Sequence, residues 1–160
     1  MNDAYDYSGI RLRGTACTAL AEECVVVNTE SPGTDRGFEL VFGTRGTVRN
    51  CTVSGWHTGL FANTDSEPIV EDCTLTGNTY GVYVWGGDGG EITLIDLGNG
   101  TRDGQGGNTI QGNSTAGVYN RMDADIWACW NAWDNDPPTE GPPYPCDFEN
   151  GGSGSVIWQE

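Results

Sequence analysis

The 160-residue sequence contains no lysine; its seven basic residues are all arginine, against 23 acidic residues and a net charge of −16. A surface this acidic repels phosphate backbones and anionic lipid, so we expect neither nucleic-acid nor membrane-surface binding. No apolar run approaches the roughly 18 residues of a membrane-spanning helix. The charge instead suits a soluble protein outside the cell, or one that binds divalent cations.

Helical periodicity is also lacking: no window places apolar residues convincingly at i, i+3, i+4 and i+7. The 25 glycines separate short β-prone runs, which predicts an all-β protein with many turns. The length favours one domain spanning residues 1–160. Residues 1–20 have no apolar signal-peptide core. We therefore infer an extracellular or cell-surface (secreted) location from the cysteines and the charge alone.

A repeat organises most of the chain. Alternating β-prone runs follow five glycines at spacings of 28, 22, 22 and 36 residues: Gly9, Gly37, Gly59, Gly81 and Gly117. A second motif lies between them, and its members Cys51 and Cys73 are also 22 residues apart. A unit this short cannot bury an apolar side alone, but stacking successive units buries a continuous core. The period therefore predicts a parallel β-solenoid of about five turns.

We place the repeat turns at about residues 9–135 and a Pro/Gly-rich tail at 136–160, pinned back on the last turn. The longer spacings become insertions at corners, the largest over residues 86–106. An antiparallel sandwich is the alternative, because it also has short strands and frequent turns. An antiparallel sandwich does not predict that the glycines and the second motif recur with the same 22-residue period.

The segments NCTVSGWHTGLFAN, EDCTLTGNTYGVYV and GGNTIQGNSTAGVYN resemble right-handed parallel β-helix repeats of the pectate-lyase-like superfamily. The resemblance implies a single-stranded right-handed β-helix. It leaves function open, because that superfamily includes lyases, hydrolases, adhesins and non-catalytic modules. Its enzymes work on the outer surface of one sheet, with clustered carboxylates and basic residues. No recurring outward Asp pair is found here, so we lean towards a protein that is not an enzyme.

The six cysteines suggest disulfides that stabilise the solenoid. Aligning the turns places one residue of each in an equivalent position: Cys24, Cys51, Cys73, Asn108 and Cys129. We expect the pairs Cys51–Cys73, Cys17–Cys24 and Cys129–Cys146, with Cys24–Cys51 as a rival. An inward ladder of reduced cysteines is the alternative. A single histidine and the absence of a local ligand cluster argue against zinc or copper.

Outward positions of the glycine-led runs bring four aromatic residues to one face: Phe61, Tyr83, Trp85 and Tyr119. Such rings, spaced along a solenoid, are suited to stacking sugars or to binding a partner protein. The alternative is that the 86–106 insertion covers them, with Ile92, Leu94, Ile95 and Leu97 packed on the rings.

Two acidic groups are weak candidates for a Ca²⁺ cofactor. One contains Asp88, Glu91, Asp96 and Asp103, and the other Asp123, Asp125, Asp134 and Asp136. Solvated turns are the competing interpretation.

The sequence therefore predicts an extracellular, non-catalytic module that binds a polysaccharide or protein surface. The alternatives are a polysaccharide lyase or hydrolase on the same scaffold, and a structural subunit that stacks end to end into filaments.

Overall fold

The computed structural model describes residues 7–15, 18–30, 33–86, 93–100 and 102–158. These residues form strands separated by turns, and none of them is helical. The strands are β1 (Ser8–Arg13), β2 (Leu20–Glu22), β3 (Val25–Val27), β4 (Arg36–Val41), β5 (Thr47–Arg49), β6 (Thr52–Ser54), β7 (Thr58–Asn63), β8 (Ile69–Glu71), β9 (Thr74–Thr76), β10 (Tyr80–Trp85), β11 (Thr109–Gln111), β12 (Ala116–Arg121), β13 (Ile126–Trp127), β14 (Cys146–Asn150) and β15 (Val156–Ile157). In that part of the chain no helix could cross a membrane.

Every strand pair is parallel, and equivalent strands of successive turns lie side by side. The largest sheet has six strands in the order β1-β4-β7-β10-β12-β14. A second face has the order β11-β9-β6-β3, and a third contains β2-β5-β8 and, further along, β13-β15. Three stacked parallel sheets confirm the all-β prediction and are consistent with a parallel β-helix.

Alternation along each strand explains this arrangement. In β10, Val82 and Val84 are buried while Tyr83 and Trp85 are half-buried on the other face. The inward residues of the other turns, among them Phe38, Leu40 and Leu60, are fully buried in one continuous core. Each turn thus covers the apolar residues of the next, as the repeat predicts.

The solenoid extends beyond the predicted boundary at residue 135. Residues 146–150 form β14, which pairs with β12 through Val118 and Phe148. The tail is therefore partly a further turn, and no disulfide pins it. It is held by the buried carboxylate of Asp147, which accepts hydrogen bonds from the amide of Asp134 (2.9 Å) and from the amide of Thr139 (2.8 Å).

One corner has the same backbone conformation in successive turns. A residue with positive φ links the third face to the second in each turn: Glu23, Asn50, Asp72, Gly107 and Trp130, at 55°, 52°, 52°, 73° and 58°. In the turn of Gly107, Gly106 also has a positive φ, of 70°. Glycine, asparagine and aspartate tolerate this left-handed conformation best. A bulky tryptophan at this corner is therefore unusual.

The residue after this corner points inward and connects the turns. The amide of Cys24 donates to the thiol of Cys51 (3.4 Å), and that of Cys73 donates to the side-chain oxygen of Asn108 (3.0 Å). The amide of Asn108 donates in turn to Asn131 (2.9 Å). The last member of this ladder is thus Asn131 and not Cys129.

The expected disulfides are not formed in the described residues: Cys24, Cys51, Cys73, Cys129 and Cys146 are free. The thiols are engaged with backbone carbonyls instead. Cys51 Sγ donates to the carbonyl of Arg49 (3.1 Å), and Cys73 Sγ donates to that of Glu71 (3.3 Å). Cys129 and Cys146 donate to different neighbours, the carbonyls of Ile157 (3.8 Å) and Thr115 (3.7 Å). Cys17 lies outside the described residues.

These thiols should differ in reactivity. Burial raises the pKa of Cys51, and it raises that of Cys73 to about 12. Since the thiolate is the reactive form, we expect iodoacetamide at mildly alkaline pH to leave both unmodified in the folded protein and to modify both after denaturation. Half-buried Cys24 should react first. Peptide mass spectrometry measures this, and recovery of Cys51 and Cys73 in one disulfide-linked peptide would contradict it.

The described part of the large insertion, residues 93–100, completes the third face. Asp96 forms parallel bridges with Ile69 on one side and Trp127 on the other. The neighbouring side chains of Ile95 and Leu97 are buried in the solenoid core. The alternative in which Ile95 and Leu97 pack on the outer aromatic rings is therefore wrong. Ile92 lies outside the described residues.

Candidate functional site

The outer face of the large sheet carries the predicted aromatic residues in register. One row crosses all six strands: Arg11, Glu39, Phe61, Tyr83, Tyr119 and Glu149. The ring centroids of Phe61 and Tyr83 are 5.6 Å apart, and those of Tyr83 and Tyr119 are 4.8 Å apart. Because parallel pairing stacks equivalent positions, the strand pattern alone brings these rings together.

Tyr80 joins them, and the sequence pattern missed it. Its ring stacks on Tyr119 at 5.4 Å and lies 5.6 Å from Tyr83. If alternation held along the whole strand, Gly81 would face outward like Tyr83, and Tyr80 would face inward. However, a Cβ at Gly81 would lie 2.8 Å from the side-chain amide of Asn113, which points inward. Gly81 and Val82 both face the interior, which leaves Tyr80 outside. We call Phe61, Tyr80, Tyr83, Trp85 and Tyr119 the aromatic patch.

Phe61 forms the base of the patch. It is only 3% exposed, and the guanidinium of Arg36 lies 4.0 Å above its ring. Arg36 therefore covers one face of the Phe61 ring. The half-buried rings of the four other members, Tyr80, Tyr83, Trp85 and Tyr119, form the accessible surface.

Charged groups flank the exposed rings. Arg121 donates a hydrogen bond to the hydroxyl of Tyr83 (3.3 Å) and lies 5.6 Å from the ring centroid of Trp85. At the other end, Glu149 accepts a hydrogen bond from Tyr144 (2.8 Å) through Oε1. Its second oxygen, Oε2, is buried and has no hydrogen-bond partner. A buried acceptor without a partner is uncommon in a folded protein.

The tyrosines next to Glu149 are held in their neutral form. The hydrogen bond to Glu149 raises the pKa of Tyr144 to about 12. Burial, and then the charge of Glu149, raises the pKa of Tyr80. Burial also raises that of Tyr119. At neutral pH these residues therefore present neutral rings and hydroxyl groups.

A separate charged cluster lies beside the patch. Glu39 is buried and accepts hydrogen bonds from Ser8 (2.5 Å), from Arg36 (2.8 Å) and from Arg11. Burial opposes its ionisation, but the hydrogen bonds from Ser8 and Arg11 and the charge of Arg36 lower its pKa overall. Such a carboxylate is a weak base, because its charge is already stabilised.

A shallow cavity of about 180 Å³ opens between this cluster and the patch. It is lined by Thr34, Arg36, His57, Thr58, Phe61 and Tyr83. His57 lies at the rim, with its Nδ1 3.3 Å from Thr58 Oγ1 and its ring 5.5 Å from that of Tyr80.

Among the predicted calcium ligands that the structure describes, Asp123 and Asp125 are engaged with the protein itself. Asp123 accepts hydrogen bonds from the amide (3.1 Å) and hydroxyl (2.9 Å) of Ser153, and Asp125 accepts one from the amide of Ser155 (2.9 Å). The backbone hydrogen bond from Ser153 lowers the pKa of Asp123. Both carboxylates thus bind the following turn. Within the described ranges no group of three or more His, Cys, Asp or Glu residues could hold a metal ion. Asp88 and Glu91 lie outside those ranges.

The chain is thus an all-β protein whose stacked parallel sheets are consistent with a parallel β-helix. More particularly, it belongs to the family described as Protein of unknown function (DUF1565), whose model matches residues 7–140. The match includes the whole aromatic patch and ends before β14. No curated protein and no solved structure matches the chain significantly.

Proposed function

We propose that this protein is an extracellular, non-catalytic module that binds carbohydrate on the aromatic patch. The observation that carries the proposal is the set of three mutually contacting tyrosines, Tyr80, Tyr83 and Tyr119, half-buried on the outer face of a rigid sheet. Flat rings held in place offer apolar faces to the C–H groups of sugar rings at little entropic cost.

The polar groups around the rings suit a neutral or hydroxyl-rich ligand. Arg121 supplies N–H donors beside the hydroxyl of Tyr83, and each tyrosine hydroxyl can donate or accept a hydrogen bond. A sugar bears hydroxyl groups that can satisfy both kinds of partner. A strongly anionic polysaccharide is disfavoured by the net charge of −16.

The enzymatic alternative has less support. The one buried carboxylate of the outer row, Glu39, is neutralised by Arg11 and Arg36, and its pKa is lowered. It is therefore poorly suited to act as a general acid or base near neutral pH. The right-handed winding and the relation to the pectate-lyase-like superfamily remain inferences from the repeat motifs.

End-to-end stacking into filaments is also less favoured, because the outer edge of β14 already has backbone partners within the chain. At the C-terminal end, the amide of Phe148 donates to the carbonyl of Thr139 (2.9 Å), and that of Gly141 donates to the carbonyl of Phe148 (2.9 Å). The free edge of β14 is thereby partly occupied. Stacking on this end would require residues 139–141 to move aside.

We expect the Tyr83→Ala/Tyr119→Ala double variant to bind its glycan at least about tenfold more weakly than the parent, because each stacked ring contributes on the order of 1 kcal/mol. A glycan array identifies the ligand, and calorimetry measures its affinity. Phe42→Ala is the matched control, since Phe42 is an exposed aromatic residue outside the patch. Unchanged affinity in the double variant would exclude the aromatic patch as the binding site.

A further inference from the structure

A second cavity, of about 540 Å³, lies away from the aromatic patch at the C-terminal end of the solenoid. It is lined by Trp130, Asn131, Ala132, Trp133, Asn135, Asp136, Pro138 and Trp158. We call it the tryptophan cavity. Its volume falls within the roughly 300–1,000 Å³ typical of small-molecule sites. Half of the six tryptophans of the chain line it, and no basic residue does.

Trp130 is the residue that points to a ligand. It occupies the left-handed corner that Glu23, Asn50, Asp72 and Gly107 occupy in other turns. A bulky side chain at a φ of 58° is strained where glycine or asparagine would not be. The ring is nevertheless 51% exposed, so core packing does not explain its presence. Strain of this kind at a cavity wall is typical of functional positions.

The wall opposite is held in place by the buried carboxylate of Asp147. It accepts hydrogen bonds from the side-chain amide of Asn135 (2.8 Å) and from the backbone amide of Asp134 (2.9 Å). Trp133 packs edge-on against Phe148, with ring centroids 4.7 Å apart. The cavity is therefore organised before any ligand arrives, which lowers the entropic cost of binding.

The chemistry of the lining favours a cation. Asn131 donates its amide hydrogens to the carbonyls of Leu97 (2.9 Å) and Ala128 (2.8 Å), and Asn135 donates to Asp147 and Thr139. The amide donors are thus committed to the protein. Three tryptophans and Asp136 also line the cavity, and indole rings and carboxylates both attract positive charge. The net charge of −16 adds a long-range attraction for cations.

We propose that the tryptophan cavity binds a methylated ammonium group, such as the trimethylammonium head of choline. Three tryptophans and one aspartate line the cavity, and aromatic rings with a carboxylate suit such ions, which cannot donate conventional N–H hydrogen bonds. This site is independent of the carbohydrate site on the aromatic patch.

Calorimetry with choline chloride tests the proposal on the full chain. We expect saturable binding at one site, and binding at least about tenfold weaker for the uncharged isostere in which a tert-butyl group replaces trimethylammonium. Trp130→Asn removes the ring and restores a residue that suits the corner, so the variant should fold and bind choline at least about tenfold more weakly. Trp127→Ala is the control, because Trp127 is 38% exposed but does not line the cavity.

Three results would overturn the proposal. The first is equal affinity for choline and its isostere, which would indicate a merely apolar cavity. The second is a Trp130→Asn variant that binds choline as the parent does. The third is the absence of saturable choline binding, including the case in which a neutral disaccharide occupies the cavity instead.

Discussion

Replacing Asp96 with asparagine is expected to lower the free energy of unfolding by about 3 kcal/mol. The Asp96 carboxylate is buried and accepts four backbone hydrogen bonds from the turn that follows it. The donors are the amides of Gly98 (2.9 Å), Gly100 (3.0 Å), Arg102 (3.1 Å) and Gly104 (3.0 Å). Asparagine has the same shape, but its amide nitrogen would face N–H donors on one side.

The expected loss is large because hydrogen bonds to a charged group contribute about 1.5–3 kcal/mol each, and a buried donor left unpaired adds a desolvation cost. The four contributions share one carboxylate, so they do not add independently. The glycines fit this arrangement, since a Cβ at Gly104 would lie 2.8 Å from the Asp96 carboxyl carbon.

Urea denaturation monitored by tryptophan fluorescence measures the effect. Asp103→Asn is the matched control: Asp103 lies exposed in the same turn with a φ of 60°, which asparagine tolerates. We expect the control to change the free energy of unfolding by less than about 0.5 kcal/mol. A similarly small change for Asp96→Asn would show that the carboxylate does not organise this turn.

The second large effect is expected at Asn108, a fully buried member of the inward ladder. Its Oδ1 accepts from the amide of Cys73 (3.0 Å), and its Nδ2 donates to the carbonyl of Val70 (2.9 Å) and to Asn131 (2.9 Å). Asn108→Ala leaves these groups unpaired and opens a small cavity. We expect a loss of about 3–4 kcal/mol.

Asn108→Cys provides a sharp comparison, because cysteine occupies the same ladder position at residues 51 and 73. The thiol of Cys51 both accepts from the amide of Cys24 and donates to a carbonyl. The cysteine variant should therefore retain part of the interaction and lose about half as much stability as the alanine variant. Equal losses, measured by the same denaturation, would show that the ladder depends on volume and not on hydrogen bonding.

Much of the architecture was predictable from local pattern. The spacing of Gly37, Gly59 and Gly81 predicts equivalent strands, and alternation then predicts which side chains face outward. Phe61, Tyr83 and Tyr119 accordingly lie in one row. These predictions succeed because side chains on a strand alternate between two faces, and stacked turns repeat the same environment at each equivalent position.

Other features depend on where a distant segment lies. Cys129 seemed equivalent to Cys73 by its motif, but the pairing aligns Trp127 with Asp96 and Asp96 with Ile69, so that Asn131, and not Cys129, takes the ladder position of Cys73. Three cysteines are followed along this ladder by two asparagines, because each residue type can both accept and donate a hydrogen bond there. The cysteine count alone could not distinguish this arrangement from disulfides.

By itself, the sequence determined the period, the parallel stacking and the outward row of aromatic rings, since all three follow from side-chain alternation within a turn. Only the tertiary structure decided that Tyr80 joins the rings, that Arg36 covers Phe61 and that residues 93–97 fill a sheet position. It also placed Trp133 and Trp158 around one cavity with Trp130. These arrangements depend on contacts between segments far apart in the chain, whose partners no local pattern specifies.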